Sequence, residues 1–260
     1  MQEKSALGRA MAMVRDLRVR CDWDRVQTRE TLRPYLIEEV HELDSAVATK
    51  DPVAIRHEVA DLLLHLAWQL VLAEENREFT SEDAAADLEA KMKRRHPHLF
   101  DLGPADDWER LKARERRLGE SARRGVLEGL PESLPELLRA FRLQERAAAV
   151  GFDWPDPSGP AAKVREELVE VEQEISSGGA GAGERLEHEI GDLLFSVVNL
   201  ARKVGVQPGP ALQQANRRFT ERFRQVERLA EERGTDLAGA GLETLDLLWD
   251  EAKKDPGGRS

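Results

Sequence analysis

Leu36-Ile37-Glu38-Glu39-Val40-His41-Glu42-Leu43 recurs 128 residues later as Val164-Arg165-Glu166-Glu167-Leu168-Val169-Glu170-Val171. Glu58-Val59-Ala60-Asp61-Leu62-Leu63 returns as Glu189-Ile190-Gly191-Asp192-Leu193-Leu194, displaced by 131 residues because a glycine loop at 178–183 adds three. Self-similarity at a fixed offset means tandem copies of one supersecondary unit. A weaker echo follows, with Trp108 four residues before Lys112 and Trp249 four before Lys253. The boundary is expected near 119–133, giving units 1–125 and 126–260.

Around these segments the apolar residues recur at the helical period, and alternating or β-branched runs are few. The expected fold class is all-α, with helices over about 3–20, 28–49, 52–75, 80–95, 107–119, 134–148, 159–176, 184–205, 208–231 and 242–254. Pro131 and Pro135 punctuate the middle of the chain. Gly178, Gly179, Gly181 and Gly183 lack the lysine and Ser/Thr of a phosphate-cradling loop and read as a connector.

Hydrophobic residues are 40% of the chain and charged residues 34%, which supplies a core and excludes a disordered composition. No apolar run approaches the roughly 18 residues of a membrane span. Met1 to Arg20 is charged throughout and has no signal-peptide core, so a cytoplasmic protein is expected. The single cysteine, Cys21, forms no internal disulfide and supplies no cysteine zinc cluster. A net charge of -11 repels nucleic acid and leaves metal cations as the natural partners of the clustered acids.

On a helix Glu38, Glu39 and Glu42 lie at about 0°, 100° and 40°, opposite Leu36, Val40, Leu43 and Val47. Taken alone, such a stripe is a solvated face. The partner helix changes the reading, because Glu58 and Asp61 are embedded in a nearly all-apolar segment running to Trp68, which predicts burial. Glu189 and Asp192 precede Leu193-Leu194-Phe195 in the same way. Ionised carboxylates in an apolar setting cost several kcal/mol unless paired or metal-bound. Hard oxygen donors without thiolate select magnesium or manganese, and magnesium commonly binds substrate phosphates as well. Further along, Arg218 and Arg222 lie four apart on one helix face with Arg217 beside them, placed to clamp phosphate oxygens or to pair with Glu221 and Glu227.

With these motifs the sequence resembles the MazG family of nucleoside triphosphate pyrophosphohydrolases, whose signature is a Glu-x-x-Glu helix followed by a Glu-x-x-Asp helix. Here these are Glu39-x-x-Glu42 with Glu58-x-x-Asp61, and Glu167-x-x-Glu170 with Glu189-x-x-Asp192. The likeness extends to Cys21-Asp22-Trp23-Asp24-Arg25-Val26-Gln27-Thr28 before the first copy and Val150-Gly151-Phe152-Asp153-Trp154 before the second. It implies a helical fold in which protomers pair to complete the bundle, a homodimer being the expectation and pairing of the two units within one chain the other arrangement. It also implies magnesium, with manganese able to substitute, and hydrolysis of nucleoside triphosphates between the α and β phosphates. By the same resemblance Glu167, Glu170, Glu189 and Asp192 hold the metal, as Glu39, Glu42, Glu58 and Asp61 do in the first copy. Glu166 then orients or deprotonates the attacking water. Lys163, Arg218, Arg222 and Lys253 correspond to phosphate contacts, and Trp249 to a base-stacking residue.

The copies are not equivalent. Aligning Ala90 with Ala215 puts Lys93 at the place of Arg218 but Pro97 at the place of Arg222, and Asp22 stands where the family usually shows proline. The C-terminal copy is therefore expected to carry most of the activity. Two other readings compete. A di-iron bundle matches Glu38-x-x-His41, but Val169 stands at the corresponding place in the second copy. A non-enzymatic oligomerisation or interaction module would use the acidic faces for partners. His57, His65, His96, His98 and His188 show no spacing that demands zinc and read as core-edge or surface histidines.

Overall fold

Short polar side chains set four helix starts in the N-terminal half. Ser5 accepts from the Gly8 backbone and opens α1 (Ala6–Arg20), and a short α2 (Asp22–Arg25) follows. Thr28 and Thr31 form a reciprocal capping box at the start of α3 (Arg29–Thr49). Lys50 ends that helix in the left-handed region at φ 61°, and Asp51 with Pro52 opens α4 (Pro52–Glu75). A second capping box, Thr80 with Asp83, opens α5 (Ser81–Arg95), after which Pro97–Leu99 forms a 3-10 turn. The second half contains α6 (Glu136–Ala148), α7 (Ser158–Ser177), α8 (Ala182–Lys203), α9 (Pro208–Glu232) and α10 (Leu242–Lys254).

This computed structural model describes residues 5–103, 125–178 and 181–254, and no strand occurs among them. The all-α expectation is met, and the helix ends agree to within a few residues. The helix expected over 107–119 lies outside the described residues. The short α2 and the 3-10 turn are additions that the periodicity did not announce. The chain separates into two compact units, Met1–Ala105 and Asp106–Ser260. The division anticipated at 125/126 abuts a stretch outside the described residues.

In the first unit α1 and α3 both pack on α4. The core is Met11 and Val14 from α1, Leu32 from α3, and Ala67, Trp68, Val71 and Leu72 from α4. Each large side chain so buried contributes about 1.5–3 kcal/mol. Arg18 ties the layers together: its guanidinium lies 5.3 Å from the Trp68 ring centre, donates to the Asp24 and Gln27 carbonyls and pairs with Glu75 at 2.8 Å.

In the second unit α7 lies along α8, α6 also packs on α8, and α9 packs on α10. Val226, Leu229 and Ala230 of α9 bury against Leu248 and Ala252 of α10. The entry to α7 is fixed by charge and by a glycine. Asp153 accepts from Arg202 at 2.5 Å and Lys203 at 2.9 Å, while Trp154 lies so close to Gly159 that a Cβ there would meet its ring at 2.1 Å.

Burial opposes ionisation of Asp153, but Arg202 and Lys203 outweigh it and hold the carboxyl below the usual aspartate range. Both cations are largely covered, at 11% and 16% exposure. Because the folded-state pKa is depressed, the stability this pair contributes is present above the ordinary aspartate pKa and is lost as pH falls through the lowered value. Asp153→Asn is therefore expected to destabilise the second unit by about 2 kcal/mol at pH 7, a buried-pair penalty discounted for partial exposure. The difference from wild type should shrink in strong acid, as measured by urea unfolding at pH 7 and pH 3.

Candidate active site

The least exposed stripe of α3 runs Leu32, Leu36, Glu39, Leu43 and Ala46, steps of four and three residues that keep one helical face. Glu39 thus sits in the face packed on α4, between apolar neighbours. Ile55, Glu58, Leu62 and His65 make a matching stripe on α4. Carboxylate oxygens of Glu39, Glu58 and Asp61 lie within 4.8 Å of one another, and Glu42 hydrogen-bonds Glu58 at the edge of this group. Burial, followed by the charges of Asp61, Glu42, Glu58 and Glu38, pushes the Glu39 carboxyl up. Glu42 is raised by burial and then by Glu58 and Glu38. One turn beyond Asp61, His65 is buried with an Nδ1 that has no hydrogen-bond partner, and burial lowers its pKa against the opposing pull of Asp61.

The acidic stripe of α3 is not uniformly solvated: Glu39 turns toward α4 while Glu38 and Glu42 stay exposed, and Val40 and Val47 on the opposite side are 49% and 53% exposed. Nor is α4 buried all round, since Val59 and Leu66 are 49% and 56% exposed and Asp61 is open to solvent. Periodicity separates an acidic from an apolar face but does not say which one a neighbouring helix covers.

The second copy repeats the geometry. Pro160, Lys163, Glu167, Glu170 and Val171 line the covered side of α7, opposite Glu189, Leu193 and Ser196 of α8. Oxygens of Glu167, Glu170 and Glu189 lie within 4.8 Å of one another. Glu167 is only 4% exposed. Its charge is met by Lys163, whose Nζ is 2.6 Å from Glu167 and 2.7 Å from Glu166. The Lys163 hydrogen bond, working against burial, holds Glu167 below the ordinary glutamate range. Glu170 moves the other way, raised first by its hydrogen bond to Glu167 and then by burial. In the first copy Tyr35 stands where Lys163 stands, and the charges acting on Glu39 are those of neighbouring acids.

Asp192 joins this cluster through a residue the sequence reading set aside. His188 Nδ1 is 3.3 Å from Asp192 Oδ2 and 3.9 Å from Glu189 Oε1, and the three form a second group of donors within 4.8 Å. The signal was present, since His57-Glu58 and His188-Glu189 recur at the same offset as the acids.

The remaining anticipated residues lie on α9 and α10. Arg218 and Arg222 are exposed on α9. On α10, Lys253 pairs with Asp250 at 2.9 Å and lies 5.9 Å from the Trp249 ring centre. Trp249 packs beside Phe219 at 5.3 Å, which itself stacks on Phe223 at 5.9 Å. This partly exposed aromatic row on the arginine helix was not foreseen, although Phe219 and Phe223 are spaced one turn apart. Lys163, on α7, lies within the acidic cluster.

A cation with bonds of about 2.1 Å joins donors up to about 4.2 Å apart, so each group closes on an ion with side-chain movements below ~1 Å. The donors of the first copy and of the Glu167 group are carboxylate oxygens, which suit a hard divalent cation. Helices bearing Glu-x-x-Glu and Glu-x-x-Asp close into a carboxylate cluster twice in one helical chain, the arrangement that the resemblance to all-α hydrolases of phosphoanhydrides implies. Residues 27–100 match the MazG nucleotide pyrophosphohydrolase domain. Over 236 residues the chain is 43% identical to the nucleoside triphosphate pyrophosphohydrolase/pyrophosphatase MazG of Thermotoga maritima, covering 90% of this chain and 89% of that protein. It is 39% identical over 251 residues to the nucleoside triphosphate pyrophosphohydrolase of Escherichia coli K12, covering 94% of each. YabN of Bacillus subtilis is 38% identical over 241 residues, which are 90% of this chain and 48% of YabN. The chain belongs to the MazG family, whose pyrophosphohydrolases generally need a divalent metal.

Proposed function

We propose that the protein hydrolyses nucleoside and deoxynucleoside triphosphates to the monophosphate and pyrophosphate, with magnesium as cofactor and manganese able to substitute. The observation that carries this reading is the cluster of Glu167, Glu170 and Glu189, in which Lys163 meets the buried Glu167 carboxylate; α9 and α10 of the same unit carry exposed cations and an aromatic row. In the reaction a water oxygen bonds to the α phosphorus, the bond to the α–β bridging oxygen breaks, and pyrophosphate departs. Glu166, on the exposed side of Lys163, orients or deprotonates that water. Glu167, Glu170, Glu189 and Asp192 hold the cation, and Glu39, Glu42, Glu58 and Asp61 hold one in the N-terminal copy. The bound metal supplies charge neutralisation on the triphosphate oxygens. Lys163, Arg218, Arg222 and Lys253 contact the phosphates, and Trp249 stacks on the base. The C-terminal copy carries most of the turnover.

The same reading assigns units 1–125 and 126–260, and a homodimer. The argument for pairing is the apolar surface left open beside the acids: Ile190, Leu194, Phe195 and Val197 on α8 are each 42–54% exposed, and Val59 and Leu66 on α4 are 49% and 56% exposed. None of the described helices is long and apolar enough to cross a membrane. A net charge of -11 disfavours nucleic acid, and one cysteine suits the cytoplasm.

The test is incubation with each common triphosphate and magnesium, followed by anion-exchange separation of the products. Monophosphate with pyrophosphate is expected. Diphosphate with orthophosphate, or no turnover on any triphosphate, would overturn the reading and favour a helical interaction module.

A further inference from the structure

His188 is the one imidazole found in the three-donor groups of the described residues. It precedes Glu189 and lies one turn from Asp192, so the residues spaced i and i+4 on one helix face present a nitrogen and an oxygen 3.3 Å apart. Glu189 belongs both to this group and to the Glu167–Glu170–Glu189 group. The imidazole is therefore placed at the carboxylate through which the C-terminal cluster is built. Its side chain is 74% exposed, and its Nδ1 lies beside the carboxylates of Asp192 and Glu189.

We propose that His188 is a nitrogen ligand of the cation in the C-terminal copy, completing with Glu189 and Asp192 a mixed donor set from which manganese gains more than magnesium. This rests on the proposed metal-binding role of the acidic cluster. Imidazole suits borderline transition metals, whereas magnesium prefers oxygen and gives up its waters reluctantly. A magnesium ion on the same carboxylates therefore gains little from the imidazole, while a manganese ion gains a bond. The N-terminal copy supplies a comparison within one molecule: its donor group, Glu39, Glu58 and Asp61, is all carboxylate, and His57 at the position equivalent to His188 is not part of it.

The experiment is pulsed electron paramagnetic resonance of manganese(II) bound to the full-length protein, read alongside calorimetric titration with manganese and with magnesium. The wild type is expected to show nitrogen-14 modulation from a directly bound imidazole. His188→Ala should abolish that modulation and weaken manganese binding by roughly tenfold, as loss of a ligand-orienting partner does at other metal sites, while magnesium affinity changes by less than about twofold. His57→Ala should keep the modulation. Since the His188 side chain is mostly exposed, its removal leaves the helix packing intact, which circular dichroism checks. Manganese bound without nitrogen modulation, or modulation that survives His188→Ala, would overturn this inference and leave the carboxylate site standing. Failure of the wild type to bind either ion would overturn the metal-site reading itself.

Discussion

Replacing Glu167 and Glu170 together by glutamine is expected to lower pyrophosphate release from nucleoside triphosphates by on the order of 10³-fold, the scale set by removing preorganised electrostatic groups from a reaction centre. Glutamine keeps the shape of each side chain and removes its charge, so the covered face of α7 stays filled. Lys163 keeps Glu166 as a partner 2.7 Å away, which limits the cost to folding. The matched N-terminal variant, Glu39→Gln with Glu42→Gln, is expected to lower turnover by less than about threefold. The inequality follows from the surroundings. Lys163 stands beside Glu167 and balances its charge, whereas Glu39 has Tyr35 at that place and four neighbouring acids that oppose its ionisation. The N-terminal copy also has Pro97 where the second has Arg222. Steady-state rates with malachite-green detection after added pyrophosphatase would decide the matter. Turnover that survives the Glu167/Glu170 variant and vanishes in the Glu39/Glu42 variant would reverse the assignment of copies.

Much of this architecture is written in local signals. Thr28, Asp51-Pro52 and Thr80 mark helix starts by side-chain chemistry alone, and the recurrence of the acidic segments announces two related units before any contact is known. The acids that the spacing paired, Glu39 with Glu58 and Asp61, and Glu167 with Glu170 and Glu189, are brought within 4.8 Å. What spacing does not encode is which helix face is covered. The habit that apolar faces pack inward misplaces Glu39, because Val40 and Val47 remain open in a single chain while the acid faces α4. The pairing of Lys163 with Glu166 and Glu167 follows from i,i+3 and i,i+4 spacing, but a likeness that assigns the lysine to phosphate draws attention away from it. His188 went unread for a related reason: a zinc-like spacing of histidines is absent, yet one imidazole beside two carboxylates is enough for a mixed donor set.

The two cores also make a prediction that separates stability from catalysis. Trp68 is 2% exposed, surrounded by Met11, Val14, Leu32, Val71 and Leu72, with Arg18 stacked on its ring. Trp68→Ala removes the largest apolar side chain of that cluster and leaves a cavity that helices held on three sides cannot close, so a loss of about 4 kcal/mol is expected for the first unit. The second unit has a separate core in Val226, Leu229, Ala230, Leu248 and Ala252. Urea unfolding followed by far-ultraviolet circular dichroism should therefore show one transition moved down by roughly 2–4 M, using the slope usual for a unit of this size, and a second left in place. Asp61 lies two turns before Trp68 on α4, so the N-terminal carboxylate group loses its support when this core fails, while the C-terminal group keeps its own. Turnover at low urea should persist at close to the wild-type rate. A single transition that shifts as a whole, or loss of activity in parallel with the first unit, would mean that the C-terminal site depends on the N-terminal core rather than folding on helices of its own.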